Sequence, residues 1–236
     1  TLDALARLKR IPDFSVNCID TIIYSSVTRM YTEPATAALL QKRLGIASAV
    51  SFDVTNACLS FIDGLIIADS LIKSGISKCA LVVSAEKVSP VLENSRRAIN
   101  ETGEGREYLA SLTLGDGAAA AVICGEEYKE HARLRLKAYS RTTVSEYAEC
   151  CILPSHDHPM ATDSNALFNG AINHFPEMFT KLMSDIGWEL PDISVMVPHQ
   201  ASIKVIQQGM KAINFPMDRC SITLDTFGNM ASVSIP

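Results

Sequence analysis

Two apolar runs stand almost back to back in the first half of the chain, and together they leave few folds open. Leu59 to Ile72 is apolar nearly all round a helix, with Leu59, Phe61, Ile62, Leu65, Ile66, Leu71 and Ile72. Lys78-Cys-Ala-Leu-Val-Val-Ser-Ala85 is a continuous apolar strand of the type buried on both faces. A helix without a polar face needs protein on both sides of it. Gly75, between the two runs, supplies a left-handed helix end. Val50 to Val54 is a β-favouring run that leads into the helix. Ile19-Asp-Thr-Ile-Ile-Tyr-Ser-Ser26 reads as a further buried strand, and Ala35 to Leu44 as a helix ended by Gly45. Leu2 to Leu8 reads as the end of a helix. Such βαβα alternation predicts an α/β fold with a largely parallel sheet.

The polar segment Val88 to Leu109, with Gly103 and Gly105, reads as an excursion over the surface, a lid or an interface element. Ala118 to Cys124 is a small-residue strand after the turn Gly115-Asp-Gly117, and Leu134 to Val144 a further strand. The pattern then repeats. Ala166 to Ile186 is helical with a break near Pro176, Ile193 to Val197 a strand, Ala201 to Lys211 a helix, Ser221 to Leu224 a short strand, and Gly228-Asn229 a turn. Two similar α/β halves are expected, 1–125 and 126–236, although the letters themselves show no repeat.

Composition narrows the function classes. A net charge of −5 argues against a general nucleic-acid binder, and Arg96-Arg97 and Arg133-Leu-Arg-Leu-Lys137 read as solvated surface. The seven cysteines are odd in number and sit in apolar settings, which points to a reducing, cytoplasmic compartment. No apolar run reaches the ~18 residues of a membrane span.

Chemistry-bearing residues fall at three strand-to-loop junctions. Cys58 follows the Val50–Val54 run where a helix begins. The unpaired N–H groups of a helix start favour negative charge, so a thiol there is expected to ionise more easily, and the thiolate is the reactive form. His199 directly follows the strand-like Ile193–Val197, and Asn229 lies in the last turn. In open α/β sheets ligands bind beyond the carboxyl ends of the strands. A Cys, a His and an Asn there would supply a nucleophile, a proton partner and an amide donor. Singly, each has an ordinary reading: core thiol, structural histidine, turn asparagine.

Four segments carry a resemblance: Asn56-Ala-Cys58-Leu-Ser-Phe, Leu114-Gly-Asp-Gly-Ala-Ala-Ala-Ala121, Val197-Pro-His199-Gln-Ala-Ser and Phe227-Gly-Asn229-Met-Ala-Ser-Val-Ser-Ile-Pro236. In order and spacing they resemble signatures of the ketoacyl synthase III family. The resemblance implies a thiolase-like fold, two α/β halves in layered αβαβα arrangement. It implies Cys58 as the acylated nucleophile, His199 and Asn229 as its partners, and Gly115-Asp-Gly117 as a structural turn. Within the family the chain is most similar to the OleA type, which joins two long-chain acyl-CoA thioesters head to head. Met30-Tyr-Thr-Glu33-Pro-Ala-Thr-Ala37 carries that distinction. The OleA branch has a glutamate that reaches into the partner subunit's site as a base, and Glu33 matches it.

What the resemblance implies is a homodimer acting on acyl-CoA or acyl-carrier-protein thioesters, with no cofactor and no metal. The competing readings are a decarboxylative synthase using malonyl-carrier protein, an acyltransferase passing the acyl group to an alcohol or amine, and a non-catalytic scaffold. Ser202 stands where the family usually has asparagine, and Ser60 where glycine is frequent. The family's first strands and its glycine-rich last strand have no counterpart in these residues, so a fragment with uncovered sheet edges is expected. Cys150-Cys151 with His156 and His158 does not have a recognised zinc spacing. The aromatic and Met-rich stretch Phe168 to Phe179 reads as core or tunnel wall.

Overall fold

β1 (Thr21–Ser25) is buried at every position, and it forms the middle of the sheet because both faces of its Ile22-Ile23 centre find apolar cover. The structure is a computed structural model that describes residues 15–236; the Leu2–Leu8 helix end lies outside the described residues. β2 (Val50–Val54) and β3 (Cys79–Glu86) flank β1 in parallel, and β4 (Gly117–Cys124) closes the order β2-β1-β3-β4, antiparallel to β3. The sheet is thus largely parallel, as the alternation predicts.

α1 (Thr36–Leu44) packs on one face, where Leu40 and Ile46 meet Ile22, Leu81 and Val83. α2 (Ser60–Lys73) packs on the other, where Phe61 and Ala68 meet Ile23, Ala80 and Val82. Gly45 ends α1 at φ +71°, and Gly75 follows α2 at φ +76°. A Cβ on Gly64 of α2 would collide with the Ser25 hydroxyl and lie 2.8 Å from Val82 Cγ1, so the glycine sets how close α2 comes to β1 and β3.

The surface segment Val88 to Leu109 is largely helical. It forms α3 (Ser89–Thr102), with Pro90 in its first turn and Val91 and Ser95 buried, followed by a 3-10 segment, Arg106–Thr113. Its hydrophobic stripe is narrow enough to be masked by charge in the letters. Leu134 to Val144 forms no strand: Leu134 is 91% exposed, and no neighbouring strand supplies hydrogen bonds. A short hairpin follows, β5 (Cys151–Ile152) with β6 (Ala161–Thr162).

In the second half α4 (Ser164–Ile186) runs unbroken through Pro176, correcting the expected break there, and is capped by the Asp163 carboxylate. Phe175 and Phe179, partly buried, pack on Ile206, Met210, Ile213 and Phe215 from α5 (Ile203–Ala212) and the chain after it, so this part of the aromatic stretch borders the core. Ile193–Val197 contributes one rung of parallel ladder, Met196 opposite Cys220, and not the full strand expected. Val195 and Val197 on either side are exposed, and Ile193 and Met196 are the residues of the segment that pack on the core. The expected strand Ser221–Leu224 likewise does not form and runs into a single helical turn, α6 (Leu224–Phe227). No helix among the described residues is long and apolar enough to cross a membrane.

Candidate active site

Because β1, β2 and β3 are parallel and β4 is antiparallel, one edge of the sheet collects the ends that matter. The loop after β1 carries Glu33, the turn after β2 carries Cys58, β3 ends at Glu86, and β4 starts just after the Gly115-Asp-Gly117 turn, with Gly117 opposite Glu86.

Cys58 sits on a strained elbow between β2 and α2. Ala57 has φ +47°, a left-handed backbone that a side chain disfavours. The turn is held from beneath. The Ser60 hydroxyl donates to Ala57 O at 2.6 Å and accepts from Asn56 N at 2.8 Å. Asn56 Nδ2 donates to Asp63 Oδ2 at 2.7 Å, and Arg141 pairs with Asp63 Oδ1 at 3.0 Å. The serine that departs from the family's glycine is therefore a clasp on the elbow.

The expected easy ionisation of Cys58 is not found. Desolvation pushes its thiol up to about 12, with the charges of Cys151 and Glu86 adding to the rise. The residue precedes the first helical position, and the favourable field of a helix start falls off within a turn and does not offset burial. His199 is shifted the other way: burial holds its imidazole down to about 4, and its Nδ1 is buried with no hydrogen-bond partner among the described residues. Thiol and imidazole both rest neutral at physiological pH.

Asn229 is fixed by its own loop and by the glycine turn. Its N–H donates to Thr113 O at 2.7 Å, and its carbonyl accepts from Gly115 N at 3.0 Å. Its side-chain Oδ1 accepts from Ala231 N at 3.0 Å, and its Nδ2 has no hydrogen-bond partner among the described residues, which leaves it free to donate. A Cβ on Gly115 would overlap Phe227 O, and one on Gly117 would lie 2.6 Å from Met230 Sδ, so this turn holds the Asn229 loop by close backbone approach. Asp116 between them accepts from Val88 N, Ser89 N and Ser89 Oγ, each at 2.8 Å, and so ties the turn to the start of α3. The reading of the turn as structural holds.

Two positioning residues escape a reading of the letters. Gln200, beside His199, is 1% exposed and uses its whole amide. It donates to Pro198 O (2.9 Å) and Ser221 O (3.1 Å) and accepts from Thr223 N (3.0 Å) and Leu224 N (3.2 Å). It thereby joins the His199 loop to the chain that runs into Asn229. Glu86, 3% exposed, accepts from Ser26 Oγ, Val27 N, Thr28 N, Thr28 Oγ1 and Ser232 Oγ. It links the start of the Glu33 loop to the segment after Asn229. A charge closing an otherwise apolar strand was the available signal for Glu86. For Gln200 the signal was its place beside His199 in the quoted motif, which says nothing of its burial, since that is purely tertiary.

No hydrogen bond joins Cys58, His199 and Asn229 directly among the described residues; shared anchoring on one edge is what relates them. Glu33 lies apart, exposed on its loop, with no ion-pair partner among the described residues. The loop is nevertheless pinned at both ends: Glu86 holds Val27 and Thr28, and Asp53 of β2 accepts from Thr36 N (2.8 Å) and Ala37 N (2.9 Å). His158 Nδ1 is engaged by Ser155 Oγ at 2.8 Å and His156 faces Asp157, and among the described residues no group of three or more metal-binding side chains gathers.

A cysteine elbow, a desolvated histidine and an oriented asparagine around the edge of a mixed sheet make this a thiolase-fold protein of the acyl-condensing class. Residues 52–141 match the family described as 3-oxoacyl-[acyl-carrier-protein] synthase III, and residues 183–236 match its C-terminal part. The chain belongs to that family, in a form close to OleA. A beta-ketoacyl-[acyl-carrier-protein] synthase III from Thioalkalivibrio sulfidiphilus is 31% identical over 224 residues, covering 92% of this chain and 66% of that protein. One from Aquifex aeolicus is 29% identical, covering 92% and 65%. Crystal structures of OleA from Xanthomonas campestris superpose with TM-scores of 0.91 and, with cerulenin bound, 0.90, at 29% identity. Each covers 99% of this chain, and 71% and 70% of theirs. The chain spans about two thirds of the length of its curated relatives.

Proposed function

We propose that this chain is part of a homodimeric condensing enzyme that joins two acyl thioesters by a Claisen reaction, with fatty acyl-CoAs as the substrate class. The observation that carries the reading is the common anchoring of the Cys58, Asn229 and Glu33 loops at one sheet edge, with the His199 loop stapled to the same chain by Gln200. Cys58 attacks the first thioester and takes its acyl group. Since the thiol rests near 12, its proton leaves as the S–C bond forms and passes to the sulfur of the departing thiol as the substrate's own C–S bond breaks. The Cys58 N–H stabilises the first oxyanion. His199, neutral down to about pH 4, and the free Nδ2 of Asn229 donate to the enolate oxygen of the second thioester.

Glu33 is assigned as the base that removes the α-proton of that second thioester in the neighbouring subunit. Its exposure on a loop pinned at both ends suits a residue that serves another chain. The acyl-CoA assignment is supported by OleA, one of whose structures holds lauric acid and lauroyl-CoA. The second reading, decarboxylative condensation with a malonyl-carrier protein, is favoured by the names of the curated relatives. Incubation with lauroyl-CoA followed by intact-mass analysis tests the first step. An acyl adduct on Cys58 is expected, and a folded protein with no adduct contradicts both readings. Glu33→Ala then separates them: acylation survives in either case, and condensation fails only where Glu33 is the base.

A further inference from the structure

At the opposite end of β3 from Glu86, about 23 Å along the strand, three thiols meet away from the candidate active site. Cys79 Sγ lies 3.2 Å from Cys124 Sγ and 3.5 Å from Cys18 Sγ. Cys79 and Cys124 are directly opposed in the antiparallel ladder of β3 and β4. The adjoining hydrogen bond runs from Gly125 N to Lys78 O at 3.0 Å, which makes the Cys79–Cys124 pair a non-hydrogen-bonded one. Such pairs bring opposed Cα atoms to ~4.5 Å and their side chains closest together, a separation within the range a disulfide spans. Cys79 is fully buried, while Cys18 and Cys124 keep some surface. A reagent therefore reaches the cluster through its outer members.

We propose that Cys79 and Cys124 form a reversible oxidation site for hydroperoxides, closing a cross-strand disulfide with Cys18 as a third thiol able to exchange with it. Cys124 sulfur attacks the O–O bond of hydrogen peroxide. The S–O bond forms, the O–O bond breaks, and hydroxide leaves and is protonated to water. Cys79 sulfur then attacks the sulfenic sulfur. The S–S bond forms, the S–O bond breaks, and a second water leaves with the Cys79 proton. Two thiols lose two electrons in all, and the peroxide is reduced to two waters. The contact between the two sulfurs holds the Cys124 thiol below its ordinary range and Cys79 above it, and Cys124 is also the more exposed of the two, which together assign Cys124 as the attacking sulfur. The site is separate from Cys58, so it stands or falls independently of the proposed condensation.

The test treats the protein with hydrogen peroxide, denatures it, alkylates the free thiols and maps the peptides by mass spectrometry without reductant. The expected result is a peptide pair linked through Cys79 and Cys124, lost on treatment with dithiothreitol. Cys124→Ser removes that pair, and Cys18→Ser retains it; thermal melts of both variants establish that they are folded. Full alkylation of Cys79 and Cys124 after peroxide overturns the proposal. So does oxidation of Cys124 beyond the sulfenic acid with no linkage to Cys79.

Discussion

Replacing Gln200 with Ala removes a side chain that joins the His199 loop to the chain leading to Asn229. The amide makes two donated and two accepted hydrogen bonds from a position 1% exposed. Each such bond contributes about 1 kcal/mol net, and a buried group left unpaired costs roughly 1–3 kcal/mol. Thr223 and Leu224 are half-buried, so water reaches some of the released groups. A loss of about 3 kcal/mol is expected, which for a chain of this length lowers the melting temperature by roughly 6–12 °C. Gln200→Glu is expected to fare worse, because a carboxylate keeps the two accepted bonds and opposes the carbonyls of Pro198 and Ser221. The assay is a calorimetric melt paired with acylation and condensation rates. Condensation should fall more than acylation, since Cys58 is held by Ser60 and Asp63 and not by Gln200. A melt within about 1 °C of the wild type, with condensation unchanged, would refute the role of Gln200.

Three further outcomes follow from the same contacts. Gly64→Ala forces a methyl group against Val82 Cγ1 and the Ser25 hydroxyl and should cost about 1–3 kcal/mol in a urea titration, despite the better helix propensity of alanine. Asp63→Ala frees Asn56 and Arg141 together, and should slow Cys58 acylation about tenfold or more with little change in secondary structure by circular dichroism, since a small misplacement of a reacting group is costly. His199 is depressed from 6.5 to about 4. The unfolded chain therefore takes up its proton first as pH falls, and the stability this group contributes is complete above about 6.5 and lost on descent through about 4. It should amount to no more than about 3 kcal/mol, and a His199→Gln variant should lack that slope between the two values in acid unfolding curves.

The letters revealed the parts of the fold whose burial is continuous. β3 and α2 were legible because an apolar run of that length has no other stable home, and β1 and α1 because apolar centres ended in clear signals such as Gly45. α3 was hidden because its apolar stripe is sparse and its charges dominate the composition of Val88 to Leu109. Leu134 to Val144 alternates well enough for a strand, yet a strand needs a neighbour, and neighbours are not written in the segment itself. The same holds for Ile193 to Val197, which keeps a single rung. Of the candidate site, Cys58, His199 and Asn229 were recognisable from the motifs around them. The direction of the Cys58 shift was not, because desolvation by distant parts of the chain outweighs the local helix start. Glu86 and Gln200 illustrate the same limit: a buried polar residue is specified by its partners, and these lie far off in sequence.

Glu33 remains the residue on which the account turns, since it is exposed on its loop and has no ion-pair partner among the described residues. The most direct measurement mixes two inactive variants, Cys58→Ala and Glu33→Ala, and follows condensation of lauroyl-CoA. In a dimer where Glu33 serves the neighbouring subunit, a mixed pair contains one intact site, so activity should return to about a quarter of wild type as subunits exchange at equal amounts. No recovery, with subunit exchange shown by native mass spectrometry, would contradict the account.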